Sequence, residues 1–225
     1  MGTMISLTAA DGHGFGAYKA GPDDAAMGLV VIQEIFGVNG HIRDACDRFA
    51  AQGFSVVAPA LFDRADKNAQ LGYTQDDVQA GLALRAKVSE AAAIADIAAA
   101  ALSLGGKPIG IIGYCWGGTL AWHAASKTQL FKAGIGWYGG GIPEAKDAIL
   151  NCPVQLHFGE TDHGIPLDGV EAVKAAHPEV EVFVYDGAGH GFGCDQRASY
   201  DAVAYAKAQE RSLAFLKTHL GQTTA

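Results

Sequence analysis

Three residues in the second half of the chain could together break an acyl bond: Cys115, Asp162 and His190. Cys115 lies in Gly113-Tyr114-Cys115-Trp116-Gly117-Gly118, the G-x-nucleophile-x-G pattern of a sharp strand-to-helix turn, with a thiol in place of the commoner serine. The glycines fit such a turn, because its backbone is strained and side chains at the flanking positions would clash. The context is also right. Pro108-Ile109-Gly110-Ile111-Ile112 reads as a strand, and Thr119-Leu120-Ala121-Trp122-His123-Ala124-Ala125 reads as a helix. A thiol at a helix N-terminus feels the positive end of the dipole, which favours the nucleophilic anion. The alternative is a structural turn with an inert cysteine, since glycine-rich turns are common.

Behind such a turn the acid and the histidine follow in that order, as Asp162 and His190 do here. Asp162 would fix the imidazole tautomer and stabilise the imidazolium, and His190 would exchange the proton of the nucleophile. Other candidates are weaker. Glu160 reads as a solvated loop carboxylate, and Asp186 as a turn former before Gly187. His163 directly follows Asp162 and reads as pocket rim or structure. His157 alternates inward on a strand and reads as a satisfied core histidine, and His123 is expected to face the core two turns into the helix behind Cys115. His13, His41, His177 and His219 look like surface residues. No H-x-x-x-H or Cys/His cluster suggests a metal.

Glu34 ends the apolar run Leu29-Val30-Val31-Ile32-Gln33, where a carboxylate is costly unless paired. It could reach solvent or an arginine such as Arg43. The favoured reading places it in the turn that faces the nucleophile, within reach of the thiol. The backbone N–H groups of Ile35 and Trp116 would then form an oxyanion hole.

The elements needed to position these groups are present. Strands are predicted at Phe15–Lys19, Leu29–Gln33, Ser55–Ala58, Ile109–Gly113, Ala133–Trp137, Val154–Phe158 and Glu181–Tyr185. Several are apolar on both faces, as buried parallel strands are. Helices are predicted at His41–Gln52, Gln75–Leu104 with a break near Ser89, Gly118–Ser126, Leu167–His177 and Ser199–His219. This alternation implies βαβ units and a mostly parallel sheet with helices on both faces. Such sheets carry their sites at the carboxyl ends of the strands, which is where Glu34, Cys115, Asp162 and His190 fall.

The 225 residues suit one domain, residues 1–225, with no separate cap domain. A net charge of −8 with no basic stripe speaks against nucleic acid and anionic membrane as partners. No apolar stretch is long enough for a bilayer, and the first residues do not read as a signal peptide. Cysteines 46, 115, 152 and 194 are scattered and expected to be free thiols in a reducing cytoplasm. With no sustained apolar heptad, a monomer is the default.

The combined pattern resembles the dienelactone hydrolases (carboxymethylenebutenolidases), of the α/β-hydrolase superfamily. The matching segments are Asp11-Gly12 with Phe15-Gly16, Gln33-Glu34-Ile35-Phe36-Gly37-Val38-Asn39, and Pro59 with Leu61-Phe62. They continue with Gly113 through Gly118, Gly159 with Asp162-His163 and Pro166, and Gly187-Ala188-Gly189-His190 with Phe192. The resemblance implies an α/β-hydrolase fold, no cofactor, a Cys115–His190–Asp162 triad and assistance from Glu34. It also implies cleavage of an enol-lactone to maleylacetate in chloroaromatic breakdown.

Members of that family hold the substrate carboxylate with two arginines, one in an H-x-F-x-R run. Here the run is His190-Gly191-Phe192-Gly193-Cys194, so Cys194 stands at the arginine position, and Val78 or Gln79 stands at the other. Arg85 and Arg197 are the candidate replacements, and a solvated helix residue is the alternative for Arg85. Phe36, Tyr73, Trp116, Tyr138 and Phe192 are candidate pocket walls, with ordinary core packing favoured for Tyr73 and Tyr138. The polar segment 63–73 is expected to be irregular and to lie over the site. The substrate is then a small lactone or activated ester. The rival reading is a redox-sensing protein that uses Cys115 and Cys194 as reactive thiols.

Overall fold

A computed structural model describes residues 1–221. The chain divides into two compact units, Met1–Gly110 and Ile111–Ala225.

In the first unit the strand order is β1-β2-β4-β3. Its elements are β1 (Thr3–Thr8), β2 (Gly14–Ala20), β3 (Met27–Ile32), α1 (Gly40–Ala50), β4 (Phe54–Pro59), α2 (Gln75–Arg85) and α3 (Glu90–Leu102). β1 pairs antiparallel with β2, and β2 antiparallel with β4. β3 pairs parallel with β4, with Leu29 opposite Val56. Every residue of β4 is buried, as is β3 from Gly28 onward. That is the burial expected of strands whose apolar residues do not alternate. β1 was not predicted. Only Ile5 and Leu7 are even half-buried, so its hydrophobic signal is weak. Pairing across a tight turn at Gly12 (φ +86°) makes it a strand.

The side chains of Asn39, Thr74 and Ser89 cap α1, α2 and α3. The Ser89 cap is the physical reason for the predicted break. Its hydroxyl accepts from Ala92 N and starts a new helix where one longer helix would otherwise have continued. The segment 63–73 is largely irregular, with a 3₁₀ turn at Leu61–Arg64 leading into it. It is stitched to the turn after β3: Leu71 N donates to Phe36 O at 2.9 Å, and Asn39 Nδ2 donates to Tyr73 Oη at 3.0 Å.

The strand β5 (Ile109–Tyr114) crosses the boundary and leads the second order, β5-β6-β7-β8. The second unit holds α4 (Trp116–Lys127), β6 (Ala133–Trp137), β7 (Val154–Gly159), α5 (Leu167–Ala176), β8 (Glu181–Tyr185) and α6 (Ala202–Leu220). β6, β7 and β8 run parallel, and α4 and α6 pack on β6. α6 starts after the predicted Ser199 because Asp201 is its cap, accepting from Val203 N and Ala204 N. No helix among the described residues is long and apolar enough to cross a membrane.

Candidate active site

The site in the second unit is built on the ends of β5, β7 and β8. Cys115 is the joint between β5 and α4, with φ +56° and ψ −118°. A non-glycine residue there is strained, and such strain collects at functional positions. The neighbouring glycines are needed. A Cβ on Gly113 would lie 1.9 Å from Gly117 O, and one on Gly118 would lie 2.6 Å from Trp137 O. The turn is held open from β6, whose last residue, Trp137, accepts Cys115 N–H at 2.9 Å. Trp116 is the first residue of α4, so its N–H is among those an α-helix cannot satisfy internally.

Asp162 follows β7 and is buried. One oxygen, Oδ1, accepts Gly164 N at 2.9 Å, and the other, Oδ2, lies 2.7 Å from His190 Nδ1. A carboxylate can only accept, so His190 carries a hydrogen on Nδ1 and turns Nε2 toward Cys115. The Nε2–Sγ distance is 3.2 Å. The loop bearing His190 is tied to the loop bearing Asp162. Gly187 N donates to Glu160 Oε2 at 2.8 Å, and Thr161 N and Oγ1 both donate to Ala188 O at 2.9 Å. Burial works to lower the pKa of His190, but the hydrogen bonds with Asp162 and Cys115 outweigh it and push it up to about 10. The imidazole is thus poised to hold a proton beside the sulfur.

The three residues at the centre of the sequence reading therefore meet in hydrogen-bonding geometry. The others are placed as follows. Phe192 is fully buried, stacked on Trp137 at 5.5 Å and edge-on to Tyr138, so it floors the His190 loop. Tyr138 is also buried, with its ring 5.2 Å from that of His190. Arg197 is half-buried beside Gly191, where a Cβ would meet its Nη1 at 2.4 Å. Its guanidinium thus lies next to the residue that follows His190.

In the first unit, Glu34 is 1% exposed, which rules out the solvent-reaching alternative. Ile35 and Phe36 are buried beside it. Gly81 of α2 packs so closely on Ile35 O that a Cβ would come within 2.1 Å. Phe36 packs edge-on against Tyr73 at 4.7 Å. Arg85 is exposed at the end of α2. All four cysteines are free thiols, with Cys46 and Cys194 buried.

Three histidine placements need correction. His41 and His177 are buried rather than on the surface. His177 is anchored by Glu179 at Nδ1 and Lys146 O at Nε2. His123 is half-buried rather than facing the core. His157 is the satisfied core histidine expected, bonded at both ring nitrogens and with its pKa pushed down to about 3 by burial and then by Arg211. Sequence reasoning missed Trp137 and Thr161, whose contributions come through backbone and loop contacts that no residue pattern announces.

A fold of this kind, with a thiol, an imidazole and a carboxylate in line at a strained strand-to-helix turn, fits a hydrolase of the α/β type. The comparisons make this specific. The family model described as "Dienelactone hydrolase family" matches residues 15–220, and the chain belongs to that family. It is 37% identical over 212 residues to a Synechocystis protein assigned as a carboxymethylenebutenolidase, covering 85% of this chain and 86% of that one. It is 34% identical over 225 residues to the carboxymethylenebutenolidase of Pseudomonas putida, covering 94% of each. A crystal structure assigned as a dienelactone hydrolase from Klebsiella pneumoniae superimposes with a TM-score of 0.79 at 33% identity, covering 95% of this chain and 98% of that one. The fold class is accordingly α/β, mostly parallel, with helices on both faces of the sheet.

Proposed function

We propose that this chain hydrolyses a small lactone or activated carboxylic ester through Cys115, His190 and Asp162. The observation that carries the reading is the 2.7 Å and 3.2 Å pair of contacts that His190 makes with Asp162 and Cys115. The Cys115 sulfur attacks the acyl carbon as an anion, and the negative charge moves to the carbonyl oxygen. The N–H of Trp116 and, by the family resemblance, that of Ile35 receive this oxyanion. On collapse the acyl carbon–oxygen bond breaks, and the leaving oxygen takes the proton held on His190 Nε2. His190 then removes a proton from water, which attacks the thioester and releases the carboxylic acid and the thiol. Asp162 holds the ring in one orientation throughout. A thioester must still be hydrolysed, which favours activated esters and lactones over alkyl esters. Glu34 is assigned by the same resemblance to tuning the thiol.

Arg197, whose guanidinium lies against Gly191 beside His190, is the residue we assign to the substrate carboxylate, in the role that Cys194 cannot fill. An enol-lactone carrying a carboxylate, cleaved in aromatic breakdown in the cytoplasm, is the substrate proposed. Exposed Arg85 and fully buried Phe192 are less suited to touching it.

The test is hydrolysis of cis- and trans-dienelactone beside p-nitrophenyl acetate by wild type, Cys115→Ala and Arg197→Gln. Cys115→Ala is expected to lose about 10³-fold or more on both substrate types. Arg197→Gln should lose roughly 10- to 100-fold on the charged lactone alone. Cleavage of the acetate only by wild type would keep the triad and sink the carboxylate substrate. Cleavage of neither would leave the thiol-sensor reading.

A further inference from the structure

A polar chain with a buried centre in the second unit plays no part in the chemistry above, yet it reaches Trp137, the residue packed against both the Cys115 turn and the His190 loop. Arg211 Nη1 donates to Tyr185 Oη at 3.2 Å. A guanidinium cannot accept, so Tyr185 turns its own hydrogen to His157 Nδ1, 2.8 Å away. At the other end, Gln155 Nε2 donates to Glu181 Oε2 at 2.7 Å, which leaves Gln155 Oε1 as the acceptor 2.9 Å from His157 Nε2. The two ends thus dictate one state of His157: neutral, with its hydrogen on Nε2. That nitrogen also lies 3.0 Å from Ser212 Oγ, which accepts Trp137 Nε1–H at 3.1 Å. His157, Ser212 and Trp137 are all fully buried.

Trp137 is fixed from its other side too. The next residue, Tyr138, stands at φ +38° and donates its N–H to His157 O at 2.7 Å. Trp137 O receives Cys115 N–H. Its indole packs edge-on against Tyr114, the residue before the nucleophile, at 5.4 Å. The same ring stacks on Phe192, two residues after the base, with 22° between the planes. Gly193 lies so flat on it that a Cβ there would come within 2.6 Å of Trp137 Cζ3. Moving the indole would therefore disturb both the turn that carries Cys115 and the loop that carries His190.

We infer that His157 and Ser212 are positioning residues of the hydrolase site, setting the sulfur-to-imidazole distance through Trp137. This rests on the triad reading for its consequence in catalysis, but not for its geometry. A thiol whose imidazole partner is displaced reacts more slowly as well as turning over more slowly.

The experiment compares wild type, Ser212→Ala, His157→Phe and His157→Gln, each checked for folding by near-UV circular dichroism. Two rates are read: p-nitrophenyl acetate hydrolysis and alkylation of Cys115 by iodoacetamide at pH 7, followed on the Cys115 peptide. Ser212→Ala removes one acceptor without added bulk, and should lower kcat about 3- to 10-fold with KM within about twofold. Alkylation should slow in parallel. His157→Phe should lose more. His157→Gln can still donate at the Nε2 position, and should recover to within about threefold of wild type. Equal alkylation and kcat in all folded variants would overturn the inference and leave His157 as core packing. So would a His157→Gln no better than His157→Phe. If wild type cleaves no ester, the hydrolase reading fails, while the alkylation series still decides the positioning role.

Discussion

In each compact unit a buried carboxylate, Asp96 in the first and Asp162 in the second, is held by a nitrogen-bearing side chain, and the two pairs do opposite things. In the first unit Asp96 is fully buried and bound by Arg64 through two hydrogen bonds, of 2.8 and 2.7 Å. Arg64 also reaches Asp11 at 2.8 Å. Burial pushes the Asp96 pKa up against the pull of Arg64, and the Asp96 hydrogen bonds push the Arg64 pKa further up. No proton can leave a guanidinium at ordinary pH, so this pair is a permanent clamp between the 3₁₀ turn and α3. In the second unit Asp162 is as buried, but its partner is an imidazole with a thiol on the far nitrogen. Here a proton can move. A buried carboxylate is thus structural or chemical according to the titratability of what it holds, not according to its own burial.

Asp162→Asn should break the chemical pair most completely. The Oδ1 position already takes Gly164 N–H, so the new amide must turn its NH₂ toward His190 Nδ1. That forces the hydrogen onto Nε2, which can then no longer accept the proton of the Cys115 thiol. We expect kcat for p-nitrophenyl acetate to fall roughly 10³- to 10⁴-fold, with near-UV circular dichroism unchanged. A loss below tenfold would show that Asp162 does not orient the base.

Asp96→Ala should do the reverse. Removing one partner of a buried pair leaves a charge without its compensation, a cost of about 3–5 kcal/mol. Asp11 still partners Arg64, so about 3 kcal/mol is expected, or a Tm lowered by roughly 6–12 °C. Activity per folded molecule should hold. Differential scanning calorimetry with active-site titration separates the two, and a large fall in kcat without a fall in Tm would erase the contrast.

The chemical pair was legible in the sequence for a physical reason. The turn that holds Cys115 at φ +56° has no room for a Cβ at Gly113 or Gly118, and glycine is visible in a sequence. Asp162 and His190 follow apolar strands, and strand ends are readable. The helix break at Ser89 was legible because a cap is a side-chain function. What could not be read depends on contacts between backbones. The Trp137 carbonyl on Cys115 N–H leaves no residue signature, nor does the left-handed turn at Tyr138. β1 escaped because its pairing, not its hydrophobicity, makes it a strand. His177 escaped because the polarity of the imidazole was weighed without Glu179 and Lys146 O, the partners that let it be buried.

Two histidines of the second unit carry the comparison into pH, where the effects are smallest. His190 has a folded pKa of about 10, above the ordinary 6.5. Its contribution to stability is complete below pH 6.5 and is lost as pH rises through about 10. His157 is shifted the other way, to about 3. The folded state keeps it neutral while the unfolded chain takes up a proton below 6.5. Its contribution is therefore present above 6.5 and lost as pH falls from there toward 3. Between pH 6 and 5, above most carboxylate titrations, one such proton corresponds to about 1 kcal/mol per pH unit. Urea unfolding of wild type and His157→Gln across that window should show the wild-type free energy falling faster by about that slope. Parallel lines would mean that His157 is protonated in the folded state, and that the neutral tautomer fixed by Tyr185 and Gln155 is not the one present.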